Sequence, residues 1–313
     1  KGKVWSYLRG NLNELTEWCQ KIGDVLENPN INPNTVLENT LIPIIITKRP
    51  DAIPIAIEWH HEMYEYSENR YVINISGNVY DLSNSELNII DSPNNAPLRF
   101  SFKCEDYSIE YELTLGTKIV DGEEVTFHEI KKDSIEEPTI TYGNAIESLT
   151  NFLQVFTPTI WFAYGGQLFQ NSYVVPKDGV AGISLDNIIS HDWTGVSINK
   201  EAQGIEPYAT DSIQYHFINE IRDDFQIIYD DDGSGEIADV IGINDGNKKI
   251  DIHLFHLKYA KNGRTGNDIS NFYEVCGQAQ KSLNWKYRNG KDFFDHLLRR
   301  KNKTKNGASC SRI

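Results

Sequence analysis

Apolar residues near the start of the chain recur at helical steps. Val4, Leu8, Leu12, Leu15, Trp18, Cys19, Ile22 and Leu26 fall mostly three or four positions apart and predict an amphipathic helix over 3–27. The Pro- and Asn-rich stretch 28–34 ends it, and a short helical stretch follows near 35–39. The pattern then changes to strand-length runs at 41–47, 53–58, 71–76, 78–82, 98–104 and 108–115, the last two expected as a hairpin turning near 105–106. Asp121-Gly122, between apolar pairs at 119–120 and 125–130, is a dipeptide favoured in tight hairpin turns. A helix over 144–155 and strands at 160–164 and 172–175 complete a β-rich α+β domain over 1–176.

The second half reads differently. A polar loop after Asp192-Trp193 leads to a helix over 211–224, strands at 225–229, 236–243 and 250–259, and a helix over 267–285. An acidic, glycine-bearing loop at 230–235 and a turn at 244–247 separate the strands. The order is helix, three strands, helix, assigned to a domain over 177–300, with a basic tail over 301–313.

Composition narrows the class. Hydrophobic content of 39% and charged content of 24% over 313 residues suit one large or two ordinary globular domains. No apolar run approaches the ~18 residues of a membrane-spanning helix, and no apolar leader opens the chain, so no membrane partner and a cytoplasmic location are expected. Cys19, Cys104, Cys276 and Cys310 lie far apart without a CxxC pair, which fits reduced thiols and gives no zinc signature. Met63 is the only methionine and the chain starts at Lys1, which implies a longer polypeptide; no phosphate-binding GxxxxGK[ST] loop occurs within these 313 residues. The net charge of −15 argues against nonspecific coating of nucleic acid. Yet residues 281–313 hold ten Lys and Arg against two Asp and Glu, a basic end that could lie along phosphates.

Two acidic clusters invite a metal reading. Glu58-Trp59-His60-His61-Glu62 packs acids and imidazoles together, but neighbours on a strand point to opposite faces, which favours a structural role. Asp230-Asp231-Asp232-Gly233-Ser234-Gly235-Glu236 lacks the ligand spacing of a calcium-binding EF-hand and is read as a turn. The next strand is more informative. Asp239 is a charge within an apolar run, on the face of Ile237, Ile241 and Ile243. On the following strand, Ile250, Ile252, Leu254, His256 and Lys258 share a face that begins apolar and ends with His256 and Lys258 side by side. An acid on one strand and a lysine on its neighbour can meet on one side of a sheet. That pairing suits phosphodiester hydrolysis, which needs hard oxygen ligands for a divalent cation and a protein cation beside the reacting phosphate.

Asp239…His256-Leu257-Lys258 resembles the D-xₙ-(D/E)xK signature of the PD-(D/E)XK nuclease superfamily. Val275-Cys276-Gly277-Gln278-Ala279-Gln280-Lys281-Ser282 resembles the glutamine-bearing helix of its RecB-like members. The likeness covers 212–285. More loosely, Gln214, the run 231–239 and the glutamine helix resemble nuclease modules of bacterial defence helicase–nuclease proteins. The resemblance implies a restriction-endonuclease-like α/β domain after the β-rich α+β one, and a Mg2+- or Mn2+-dependent deoxyribonuclease. It implies DNA as substrate and a helicase or other defence subunit as partner. Asp239 would ligate metal with Glu220, Glu236 or His256, Lys258 would position water and offset charge, and Gln280, favoured over Gln278, would contact substrate or the lysine. The departure is His256, where the family carries Asp or Glu. It implies altered metal preference, a carboxylate supplied from elsewhere, or a site that binds nucleic acid or a partner without cutting.

Overall fold

The computed structural model describes residues 10–30, 43–60, 63, 71–90, 96–104, 107–175, 182–260, 263–264, 269–286, 288–305 and 308–313. Among these, five α-helices and several antiparallel sheets make a mixed α+β protein. Helix α1 (Leu12–Glu27) starts later than its apolar period suggests because Asn11 caps it. The Asn11 side chain accepts the Asn13 and Glu14 amides, while Glu14 accepts the Asn11 amide. Residues 3–9 and the expected stretch 35–39 fall outside the described residues.

The remainder of the first half runs β1 (Pro43–Ile45), β2 (Pro54–Glu58), β3 (Val72–Ile75), β4 (Asn78–Asp81), β5 (Ser85–Ile90), β6 (Leu98–Cys104), β7 (Tyr107–Val120), β8 (Glu123–Lys132), β9 (Thr139–Tyr142) and β10 (Ala145–Ser148). Helix α2 (Leu149–Val155), β11 (Thr159–Phe162), β12 (Gln167–Phe169) and β13 (Ser172–Val174) follow. They form sheets ordered β1-β13-β12-β11-β2, β10-β9-β3-β4 and β5-β6-β7-β8. The Asp121-Gly122 turn takes positive φ at both residues, 53° and 84°, and joins β7 to β8. The expected helix over 144–155 is shorter: residues 145–148 pair with β9, and Ser148 then caps α2 by accepting the Asn151 amide. One core holds the sheets together, with Ile73, Phe100, Phe102, Tyr111, Phe152 and Phe162 buried. His60 belongs to it, its ring against Phe156 and Phe169; His61 and Glu62 lie outside the described residues.

The second half follows the expected order and then continues: α3 (Ile213–Ile221), β14 (Ile227–Asp230), β15 (Val240–Gly246), β16 (Lys249–Phe255), α4 (Ile269–Lys286), α5 (Gly290–Arg299) and a hairpin of β17 (Asn302–Lys305) and β18 (Ala308–Ser311). The stretch read as a basic tail is therefore this hairpin. Period-2 alternation divides the sheet β14-β15-β16 into two apolar faces. Ile241 and Ile243 pack with Tyr229, Trp285, Phe293 and Leu297, whereas Val240 faces Ile213, Ile221 and Leu257. The sheet thus lies between α3 on one side and α4 with α5 on the other.

Helix α4 also packs on the first half. A Cβ at Gly277 would lie 2.2 Å from the Ile55 carbonyl oxygen, so only glycine allows this approach to β2. One helical turn on, Lys281 Nζ donates to the Leu87 carbonyl at 3.1 Å, and Asn284 donates to the buried Glu58 carboxylate. Arg300 Nη1 donates to the Ser83 carbonyl at 2.7 Å. No described helix is long and apolar enough to cross a membrane.

Candidate functional site

The chain enters β15 through an acidic loop that is built around arginine. Arg300, 1% exposed, donates from Nε to Asp231 Oδ1 at 2.6 Å and from its terminal nitrogens to the carbonyls of Asp231, Gly233 and Ser234. Asp231 Oδ2 accepts the Ile237 amide at 2.7 Å. Arg312 donates to the carbonyls of Asp230 and Asp232, and Lys303 pairs with both carboxylates. Gln214, on α3, donates to Asp230 and to the Asp239 carbonyl. The basic C-terminal end therefore spends Arg300, Lys303 and Arg312 on fixing this loop.

The loop's outcome is a carboxylate cluster. One oxygen from each of Asp232, Glu236 and Asp239 lies within 4.8 Å of the others. Burial pushes the Glu236 carboxyl well above its ordinary range, and the negative charges of Asp239 and Asp232 push it further. Glu236 accepts the Gly233 amide at 2.8 Å and the Gln278 side-chain amide at 3.3 Å. Asp239, 3% exposed and one residue short of β15, accepts the Leu257 amide on Oδ2 at 2.9 Å.

His256 stands opposite, just past the end of β16. Its Nε2 is 2.8 Å from Ser282 Oγ, which is itself 2.6 Å from the Ile237 carbonyl and 2.9 Å from the Gln278 carbonyl. Ser282 has one proton, and both carbonyls can only accept, so Nε2–H must donate to Ser282. The buried Nδ1 has no hydrogen-bond partner and lies 3.6 Å from Asp239 Oδ2. A ring nitrogen and a carboxylate oxygen thus face each other, and a cation between them, a proton or a metal ion, would link the two.

Lys258 continues the face of His256 but turns to other acids. Its Nζ is 2.5 Å from Glu274 Oε1 on α4 and 3.6 Å from Glu201 Oε2. Glu201 also accepts the Tyr259 amide at 2.7 Å; burial raises its pKa, and nearby Asp239 and Glu274 add to that.

Of the residues singled out from the sequence, the fold gathers Asp239, Glu236 and His256, with Lys258 alongside. Gln278, not Gln280, meets the cluster, because Glu274, Gln278 and Ser282 lie one turn apart on the inner face of α4. Glu220 is elsewhere, paired with His191 at 3.1 Å. The sequence pattern does not single out Glu201 or Glu274, and it reads Asp232 only as part of a turn. Glu274 and Gln278 share helical spacing with Ser282, which was a usable signal; Glu201 lies in a loop with no local pattern.

A cavity of about 130 Å3 opens beside the cluster, between the halves, lined by Glu58, Glu86, Glu236, His256, Gln278 and Lys281 among others. Burial lowers the Lys281 ammonium's pKa, opposed by Glu86, Glu58 and Glu236. The donors fit a divalent cation: three carboxylates supply hard oxygens, His256 Nδ1 points at Asp239, and Gln278 Oε1 is buried without a hydrogen-bond partner. No family model, no curated protein and no solved structure matches this chain.

Proposed function

We propose that this protein is a metal-dependent deoxyribonuclease whose centre lies at Asp239, Glu236 and Asp232. The observation that carries the reading is the convergence of these carboxylates on one point, with His256 Nδ1, which has no hydrogen-bond partner, 3.6 Å from Asp239 Oδ2. A bound Mg2+ or Mn2+ would polarise a phosphoryl oxygen and lower the pKa of a bound water. The chain's own groups perform the remaining tasks. Asp239 is held rigid by the Leu257 amide, Glu236 is aimed by the Gly233 amide, and His256 is oriented by Ser282. Lys258, held between Glu201 and Glu274, supplies the positive charge next to the site. An imidazole among the ligands favours Mn2+ over Mg2+ relative to an all-carboxylate set. A helicase or other defence subunit fits as the source of substrate, in keeping with the resemblance of the 212–285 segment.

Linear and circular DNA, single- and double-stranded, incubated with Mg2+, Mn2+ or EDTA tests this. Cleavage is expected with either metal, faster with Mn2+, and absent with EDTA. Asp239→Asn keeps an acceptor for the Leu257 amide and is expected to abolish cleavage. Lys258→Ala should reduce it by roughly 10²–10³-fold, the usual cost of losing a preorganised electrostatic group. Binding of DNA without cutting under every metal would replace this reading with a nucleic-acid-binding module.

A further inference from the structure

A second group of potential ligands lies away from the acid cluster. His191, His216 and Glu220 each present one donor atom, and all three atoms lie within 4.8 Å of one another. Sequence spacing accounts for half of it: His216 and Glu220 are four residues apart on α3, so both point to the same side. His191 comes from the loop segment that precedes α3. Its Nε2 is 3.1 Å from Glu220 Oε2. Donor atoms bound at ~2.0–2.1 Å around a tetrahedral Zn2+ are separated by about 3.3 Å, so this edge needs almost no adjustment.

Trp193 supplies a wall. Its ring centroid lies 4.2 Å from that of His191 and 5.7 Å from that of His216, and the two imidazoles are 5.7 Å apart. These tilted and edge-on contacts restrain both rings and cover one side of the group. The donors also differ in kind from those at Asp239. Two imidazoles and one carboxylate suit a borderline transition ion, whereas three carboxylates suit Mg2+ or Mn2+. Three protein ligands leave a fourth position for water or an incoming group.

We infer that His191, His216 and Glu220 form a Zn2+ site independent of the carboxylate centre. Bound zinc ties the segment through His191 to α3. The same segment continues to Glu201, and the same helix carries Gln214, so the ion braces two residues that border the acid cluster.

Titration of the metal-stripped full chain with Co2+, followed by visible absorption, tests the inference. One equivalent should produce the d–d bands of tetrahedral cobalt, and Zn2+ should remove them. His191→Ala and His216→Ala should each weaken binding by at least about tenfold while far-UV circular dichroism stays unchanged; the exposed position of His191 makes its replacement structurally mild. Asp239→Asn should leave the bands intact, which separates this site from the proposed nuclease centre. Bands that persist in both histidine variants would assign the cobalt to another group, such as the cysteines, and overturn the inference. Folded protein that produces no bands would overturn it equally.

Discussion

Buried histidines take two different parts in this fold, and their hydrogen bonds decide which. His256 donates Nε2–H to Ser282 and turns Nδ1 towards Asp239, so its second ring nitrogen points into the acid cluster. His296 instead donates Nε2–H to the Gly235 carbonyl at 3.1 Å and packs against Trp285, locking the loop that carries Glu236. Burial, and after it the charges of Arg300 and Arg299, hold its pKa well below 6.5. Between pH ~6.5 and that lower value the unfolded chain binds a proton that the fold refuses, so stability falls as pH drops. The slope from this residue is about 1.4 kcal/mol per pH unit at its steepest. Urea titrations between pH 7.5 and 5 should show that loss. His296→Gln can still donate to Gly235 and should flatten the curve in that window. An unchanged slope in the variant would place the acid sensitivity on other groups.

At the level of elements, the three strands and two flanking helices were legible because their apolar periods are clean; of the residues singled out, Asp239, Glu236 and His256 come together, whereas Glu220 and Gln280 do not. Strand ends were less legible. Asp239 lies one residue outside β15 and Lys258 three beyond β16, so alternation still gave their common side but not their partners. The partners come from α4 and from the loop at Glu201, whose positions depend on tertiary packing that no local period encodes. Likewise, charge alone presented the C-terminal end as a phosphate-binding surface, whereas Arg300, Lys303 and Arg312 turn inward to acids that are distant in sequence. The glutamine pair shows the same limit: only the face of α4 chooses Gln278 over Gln280. That face is set by Gly277 pressed on β2. Gly277→Ala puts a methyl against backbone, which cannot yield as a side chain would. It is expected to destabilise the protein by about 1–3 kcal/mol through forced displacement of the helix. Because Glu274, Gln278 and Ser282 ride on α4, cleavage should fall more than stability alone accounts for. Urea midpoints beside cleavage rates measured well below the transition would separate the two effects.

Across the whole molecule, the half that carries the proposed centre leans on the other half at its most sensitive points. Arg300, which organises the acidic loop, completes its bonds on the Ser83 carbonyl; half-buried Lys281 sets its ammonium on the Leu87 carbonyl. Asn284 meets Glu58, whose carboxyl burial pushes above its ordinary range. A fragment over 182–313 would keep every carboxylate of the proposed centre and lose all three of these supports. It would also expose the groove at Gly277 and the cavity wall beside Glu236. Polar groups stripped of their partners at a newly opened face can turn to water, so the loss is one of geometry more than of desolvation. The fragment is expected to retain helical far-UV circular dichroism, to unfold at lower urea with a shallower transition, and to lose metal-dependent cleavage. Adding the separately produced first half should restore part of both. If the fragment instead unfolds as sharply as the full chain and cuts as fast, the α3–sheet–α4 unit alone sets the geometry of the acid cluster, and the contacts through Ser83, Leu87 and Glu58 merely join two self-sufficient bodies.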